Sequence, residues 1–193
     1  SSERNSDCLE EIAKKEGVFC VRGSENNVLS RYIKAIKKFN LDYVIRITGD
    51  DICQDPEFIE NTLREFKSKN YEYLISSIES KPLIDGLIFE IFNSKLLLDV
   101  SNRKDLSEDD KEHVTTYIRN KKINCKQGYL NKDDIPNAYE NKFKFKLCID
   151  TKKDYEMIRE AWCSRLIHQN IEIPDTHKII NNIIKNNDLA EYI

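Results

Sequence analysis

Glycine and proline are scarce in this sequence, and long apolar runs are absent. The 193 residues include five glycines and four prolines, which excludes the collagen-like and linker-like classes. No apolar run approaches the roughly 20 residues that a bilayer-spanning helix requires, so we expect no membrane partner. The first residues, SSERNSDCLEE, contain neither a basic region nor an apolar one, and we therefore expect no secretory signal.

The cysteines lack the spacing of a zinc site or of a disulfide framework. The six are Cys8, Cys20, Cys53, Cys125, Cys148 and Cys163, and no two of them form a CxxC pair. We therefore expect reduced thiols and a cytoplasmic protein. The 31 basic and 34 acidic residues leave a net charge of −3, which argues against a generally basic protein that binds nucleic acid.

Hydrophobic residues make up 39% of the chain and charged residues 34%, which is enough for one sizeable core inside a charged surface. Apolar residues spaced by three and four predict helices over 7–16, 28–39, 55–66, 94–103, 108–120, 154–168 and 176–185. Short apolar or alternating runs predict strands over 18–21, 42–48, 73–78, 87–92, 123–130 and 143–149. Strands that alternate with helices predict an α/β fold with a largely parallel sheet.

The most specific local signal is the run VIRITGDD, in which Asp50 and Asp51 follow a buried strand and a glycine. In open α/β sheets ligands bind beyond the carboxyl ends of strands, and a carboxylate there can hold Mg²⁺ together with phosphate oxygens. The alternative is that Asp50 or Asp51 caps a turn, and the pattern leaves both open. Arg46, within the same strand, is a further candidate for substrate binding.

Asp150 has a similar position, at the end of the predicted strand in LCIDT and directly before a helix. From the pattern alone a structural role is favoured, in which Asp150 or Thr151 caps the helix and Asp154 lies in its first turn. The sequence does not show whether Asp50 and Asp150 meet in space.

Two other motifs are weaker candidates. Arg22 and Ser24 lie at a strand-to-helix turn, where an arginine and backbone amides can meet an anion, although such turns are common without ligands. His113 lies on an amphipathic helix, where a lone histidine is more often a surface or capping group than a base. We find no Walker A, GxSxG, HExxH or Rossmann glycine motif.

Four motifs in order resemble the cytidylyltransferase family: RGSENNVLSRYIKAIKKFNLDYVIRITGDDICQDPEFI, IDGLIFEIF, EHVTTYIRN and CIDTKKDYEMIR. The resemblance runs from about residue 7 to the C terminus. It is strongest to the branch named for the spore-coat polysaccharide biosynthesis protein F, which is related to CMP-Kdo synthetases and acylneuraminate cytidylyltransferases. It implies a three-layer α/β sandwich of nucleotidyltransferase type, similar to the nucleotide-binding half of GT-A glycosyltransferases. The implied reaction transfers CMP from CTP to a sugar hydroxyl with Mg²⁺ and releases pyrophosphate.

The resemblance also implies roles for individual residues. Asp50 and Asp150 match the positions that hold the metal. Positions on the sugar side of the pocket are matched by Asp85, Glu90 and His113. Arg22 and Ser24 match positions near the nucleotide. A homodimer is implied as well, and the segment from about 84 to 142 is a candidate sugar-binding or dimerisation arm.

The sequence departs from the family pattern in two places. The family begins with a strand and a loop of the type GSTRLPGK, and because neither is present we expect residues 1–193 to be a single domain shortened at its N terminus. Ile88 stands where the family often has Asp, which removes a polar contact to the sugar. These departures keep two alternatives open: a catalytically inactive homologue that acts as a binding or assembly module, and a GT-A-type glycosyltransferase.

Overall fold

The structure is a computed structural model, which describes residues 1, 6–142, 145–166 and 175–185, with the side chains of 163–166 left aside. Its α-helices are α1 (Asp7–Lys15), α2 (Val28–Phe39), α3 (Pro56–Ser68), α4 (Ser94–Ser101), α5 (Glu108–Glu112), α6 (Thr116–Arg119), α7 (Lys152–Leu166) and α8 (Thr176–Lys185). These positions confirm the predicted helices except the one over 108–120, and residues 167 and 168 of the helix predicted over 154–168 lie outside the described ranges. None of the helices described is both long and apolar enough to cross a membrane.

Local chemistry explains where α3 begins and why α5 and α6 are separate helices. Asp55 caps α3, because its side chain accepts a hydrogen bond from the backbone of Glu57 at 2.9 Å and Pro56 occupies the first turn. The helix predicted over 108–120 is instead divided into α5 and α6. Between them Val114 is fully buried with a φ of 62°, a left-handed conformation that β-branched residues rarely adopt and that no helix can run through.

The sheet has four short strands, β1 (Tyr43–Arg46), β2 (Tyr73–Ile75), β3 (Glu90–Asn93) and β4 (Gln127–Gly128), in the order β1-β3-β2-β4. Strands β2 and β4 pair in parallel, with Tyr73 opposite Gln127. All four lie within or overlap predicted strands, and helices separate most of them along the chain. The α/β class is therefore confirmed.

Two strand predictions are wrong. Residues 18–21 form no strand, and Val18 and Phe19 are 60% and 85% exposed, so this apolar run buries too little surface to support one. Residues 145–149 also form no strand, whereas 143 and 144 lie outside the described ranges. The predicted alternation is nevertheless present, since Phe145 and Leu147 are buried and Lys146 is half-buried.

By proximity the chain divides into a first unit, Ser1–Val44 with Phe92–Lys126, and a second unit, Ile45–Ile91 with Gln127–Ile193. In the first unit, α2 packs against α4 and α5. The second unit has a core of buried aromatic and aliphatic side chains, which include Phe58, Phe66, Leu74, Phe89, Ile91, Tyr139, Leu147, Ile158 and Ile180. This core supports the loop that follows β1, where the candidate site lies.

Candidate functional site

The loop from Gly49 to Asp55, here called the aspartate loop, begins with a tight turn. The backbone N–H of Asp51 donates to the carbonyl of Thr48 at 3.1 Å, and the Thr48 hydroxyl donates to the Asp51 carboxylate. Burial raises the pKa of Asp51, and the negative charges of Asp50 and Asp85 act in the same direction, against the hydrogen bond from Thr48. Asp51 therefore lies within the electrostatic influence of both Asp50 and Asp85.

Backbone hydrogen bonds bring the candidate aspartates together. The N–H of Ile149, the residue before Asp150, donates to the carbonyl of Asp50 at 3.1 Å, and the N–H of Leu147 donates to the carbonyl of Asp85 at 2.6 Å. Segment 147–150 thus runs alongside both the aspartate loop and the Asp85 turn. Residues about a hundred positions apart in sequence become neighbours in this way.

Gly86 makes this approach possible. It has a φ of 98°, and a Cβ atom at this position would lie 2.3 Å from the carbonyl carbon of Leu147. Gln54 adds a second connection, because its side-chain amide donates to the Gly86 carbonyl at 2.9 Å. The sequence signal for this contact was the DG pair in IDGLIFE.

Cys148 lies between two of the candidate carboxylates. Its sulfur is 3.7 Å from Asp85 Oδ2 and 3.5 Å from Asp150 Oδ2. Burial raises the pKa of the thiol to about 12, and the charge of Asp85 contributes further, so the thiol keeps its proton at neutral pH. A protonated thiol is a weak donor that can hydrogen-bond either carboxylate.

Asp150 is exposed and paired with Lys146, which also lies 3.1 Å from Asp154. The Lys146 ammonium is the main reason that the pKa of Asp150 is lowered. The Asp154 carboxylate accepts from the backbone and the hydroxyl of Thr151, and its own backbone N–H donates back to that hydroxyl at 3.2 Å. Thr151 and Asp154 therefore cap the start of α7, whereas the Asp150 side chain takes no part in the cap and pairs with Lys146.

Arg46 and Glu90, which were separate candidates for substrate binding, contact one another. Glu90 is 3% exposed, and its carboxylate accepts from Arg46 Nη1 at 3.0 Å and from the Tyr73 hydroxyl. The strand order explains this arrangement, because β3 lies between β1 and β2. Arg46 Nε is buried and finds no hydrogen-bond partner in the described part of the chain. Contact of either residue with substrate stays a prediction.

The remaining candidates belong to the first unit. The guanidinium of Arg22 lies 2.6 Å from Asp7 and 2.9 Å from Glu10 of α1, and these partners raise its pKa. The Ser24 hydroxyl accepts from the backbone of Asn27 at 3.1 Å. His113 is exposed, 3.5 Å from Asp109, directly after α5. Hydrogen bonds and ion pairs within the first unit thus engage all three side chains.

The structure therefore brings together Asp50, Asp85 and Asp150. Lys146 and Cys148 also belong to this group, although the sequence analysis names neither as a site residue. Within the described ranges, no three His, Cys, Asp or Glu side chains are grouped closely enough to hold a metal ion by themselves.

Comparison with known proteins shows the family. A family model described as cytidylyltransferase matches residues 1–173. The chain belongs to the cytidylyltransferase family. It is 34% identical over 164 residues to the spore coat polysaccharide biosynthesis protein SpsF of Bacillus subtilis, covering 84% of this chain and 64% of that protein. It is 30% identical over 189 residues to an uncharacterised protein of Methanocaldococcus jannaschii, covering 95% and 74%.

The fold of this cytidylyltransferase-family chain has a solved counterpart. A cytidylyltransferase from Leptospira borgpetersenii superposes with a TM-score of 0.82 at 28% identity, over 98% of this chain and 75% of that one. The predicted nucleotidyltransferase type of α/β fold is thereby confirmed. The chain spans 64% of the length of the Bacillus relative, so the activity of the whole protein is a proposal.

Proposed function

We propose that this chain carries the metal-binding and sugar-binding side of an enzyme that transfers CMP from CTP to a sugar hydroxyl for cell-surface or spore-coat polysaccharide. In this reaction the sugar oxygen bonds to the α-phosphorus, the bond from that phosphorus to the β-phosphate oxygen breaks, and pyrophosphate leaves. The observation that carries the proposal is the convergence of Asp50, Asp85 and Asp150 through backbone hydrogen bonds to segment 147–149.

The residues present fit a magnesium ion. Mg²⁺ prefers one or two protein carboxylates and completes its six ligands with phosphate oxygens and water, so Asp50 and Asp150 would suffice. The raised pKa of Asp51 reflects burial and negative charge from its neighbours, and a bound cation would relieve that repulsion. When bound, Mg²⁺ would supply charge neutralisation for the triphosphate and the departing pyrophosphate.

The other side chains have complementary roles in this proposal. Lys146 already lies against Asp150 and Asp154, where its ammonium can also meet phosphate oxygens. The exposed Asp85 carboxylate can accept a hydrogen bond from a sugar hydroxyl and so orient the nucleophile. The Cys148 thiol can donate to Asp85 or to Asp150 and does not compete for the cation, because it stays protonated.

The family resemblance also supports a homodimer in the cytoplasm, with the segment from about 84 to 142 as the sugar-binding or dimerisation arm. Light scattering on the purified protein measures the oligomeric state directly. A monomer at micromolar concentration would contradict this part of the proposal.

The test of the activity uses the purified chain with CTP, Mg²⁺ and a panel of acidic and neutral sugars. We expect pyrophosphate release with at least one sugar, and a CTP-dependent rise in melting temperature that requires Mg²⁺. Parallel reactions with UDP- and GDP-sugars measure the alternative: hydrolysis of one of these without consumption of CTP would favour a glycosyltransferase. If no pyrophosphate forms and CTP shifts no melting temperature, the proposal is wrong.

A further inference from the structure

The far half of the aspartate loop is held by parts of the chain that carry none of the candidate site residues. The hydroxyl of Thr176, the first residue of α8, donates to the carbonyl of Cys53 at 2.9 Å, and both residues are buried. Thr176 and Cys53 are 123 positions apart in sequence. Helix α8 therefore contacts the loop two residues after its acidic turn.

A second connection joins the end of the loop to α8 through a buried tyrosine. The Tyr139 hydroxyl donates to Asp55 Oδ2 at 2.6 Å and lies 3.0 Å from His177 Nδ1, and the two rings are 4.7 Å apart between centroids. Because the single hydroxyl proton is directed at Asp55, the His177 Nδ1–H donates to the tyrosine oxygen. Burial and the charge of Asp55 raise the pKa of Tyr139, so the hydroxyl stays protonated.

Tyr139 is itself fixed in position. It is fully buried, and its carbonyl accepts from the backbone of Ile84 at 2.8 Å, directly before Asp85. The preceding residues 132–137 are bound by the buried Lys81 ammonium, which lies 3.1 Å from the Lys132 carbonyl and 3.0 Å from Asn137 Oδ1. Tyr139 thus links the Asp85 turn, the aspartate loop and α8.

We propose that Thr176, His177 and Tyr139 form a clasp that positions the aspartate loop, and that Tyr139 and His177 are positioning residues for cation and triphosphate binding at Asp50. The acidic turn of the loop benefits from such anchoring, because the charges of Asp50 and Asp85 both act against the ionised form of Asp51. The anchors at Cys53 and Asp55 hold the loop at its other end. The part of this inference that concerns the ligand rests on the proposed function, and the part that concerns the loop does not.

The test compares five variants of the full chain, one of them a control, with the wild type. Tyr139→Phe removes the bridging hydroxyl and keeps the ring, and Thr176→Val removes the donor to Cys53 with little change in shape. His177→Leu removes the Nδ1 donor, whereas His177→Asn can replace it. Tyr117→Phe is the matched control, because it removes another buried hydroxyl that is bound to a carboxylate, that of Asp105 at 2.9 Å, in the first unit.

Hydrogen–deuterium exchange of peptides that cover 49–55 measures the position of the loop, and electron paramagnetic resonance of Mn²⁺ with CTP measures the ligand site. For Tyr139→Phe, Thr176→Val and His177→Leu we expect loop exchange to rise by about two- to tenfold, the equivalent of one hydrogen bond, and Mn²⁺–CTP affinity to fall by a similar factor. His177→Asn restores both values toward the wild type, and Tyr117→Phe leaves both unchanged.

Unchanged loop exchange in Tyr139→Phe and Thr176→Val would overturn the clasp. Raised exchange with unchanged Mn²⁺–CTP affinity would overturn the positioning role. A wild type that binds no Mn²⁺–CTP would refute the proposed function and with it the role in ligand binding, and the exchange data alone would then decide whether the clasp positions the loop.

Discussion

The aspartate loop and the Arg22–Ser24 turn are both candidate ligand sites, but their charged side chains have different neighbours. Like charges lie near the loop, whereas opposite charges pair with Arg22. Around the loop, Asp50, Asp51 and Asp85 gather negative charge, and the pKa of Asp51 rises as a result of burial and of that charge. At the turn, the positive charge of Arg22 is met by Asp7 and Glu10 at salt-bridge distance. A gathering of negative charge favours a cation, whereas an arginine paired with two carboxylates is typical of a structural role.

The two regions also differ in the range of the contacts that build them. Arg22 is paired with residues 12 and 15 positions away, on the neighbouring helix α1. Asp50 is connected by its backbone to Ile149, and the end of its loop to Tyr139, 84 positions from Asp55. The aspartate loop therefore depends on the complete fold of the second unit, and variants that disturb distant residues should affect it first.

The largest expected effect comes from removing the central carboxylate. Asp50→Ala should reduce pyrophosphate release by about 100-fold or more, because the cation that offsets the charge of the triphosphate would lose one of its ligands. Asp99→Ala, on the exposed face of α4, is the matched control and should keep full activity. Initial rates at saturating CTP measure both. Near-normal rates in Asp50→Ala would contradict the proposal that the aspartate loop, unlike the Arg22–Ser24 turn, holds a cation.

A second variant tests the close approach of the Asp85–Gly86 turn to segment 147–149. Gly86→Ala places a methyl group against the backbone of Leu147 at a φ of 98°, so we expect a loss of about 2–4 kcal/mol in the free energy of unfolding. Gly49→Ala is the control for stability, because a Cβ there meets nothing within 4 Å. Urea denaturation measures the two free energies, and equal values would mean that the close approach at Gly86 is not required.

Local and distant contacts also explain how much of this molecule is predictable from its sequence. The Asp55–Pro56 start of α3 follows from cap chemistry within four residues, and α2 follows from apolar spacing. The run at 18–21 has the composition of a strand but buries little surface, and burial depends on the rest of the fold. Segment 145–149 keeps the predicted alternation of buried and less buried residues. However, two of its backbone N–H groups donate to Asp85 and Asp50, which lie in different segments and not on one neighbouring strand.

The aspartates of the candidate site were predictable from the sequence, whereas the side chains that contact them were not. Asp50 and Asp150 stand at recognisable ends of apolar runs, and family motifs mark both. That Cys148 lies against Asp85 depends on the approach of two segments 63 positions apart. No local pattern of composition or spacing encodes such an approach.

A third, smaller effect tests the Arg22–Ser24 turn, where the positive charge is paired with two carboxylates. Asp7→Asn combined with Glu10→Gln removes both ion pairs of Arg22. If Arg22 lies near the nucleotide, the dissociation constant of CTP should fall. The fall should be about fivefold at most, because exposed ion pairs contribute little. Isothermal titration calorimetry with Mg²⁺ measures this constant. The triple variant that also contains Arg22→Met is the control and should lose the gain. An unchanged constant in the double variant would leave Arg22 with a purely structural role.

The smallest effect is a pH dependence of stability at Asp51. Its pKa is raised in the folded protein above the ordinary value of 3.8, so the folded state binds this proton more tightly than the unfolded state does. Stability from this group is therefore present below the unfolded pKa and is lost as pH rises through the folded one. Asp51→Asn keeps an acceptor for Thr48 and removes the charge, so it should stabilise the protein at pH 7 and lose that advantage below pH 3.8. Urea denaturation at both pH values measures the difference; a variant that is less stable at pH 7 would show that the negative charges at the aspartate loop are already compensated, as they are at Arg22.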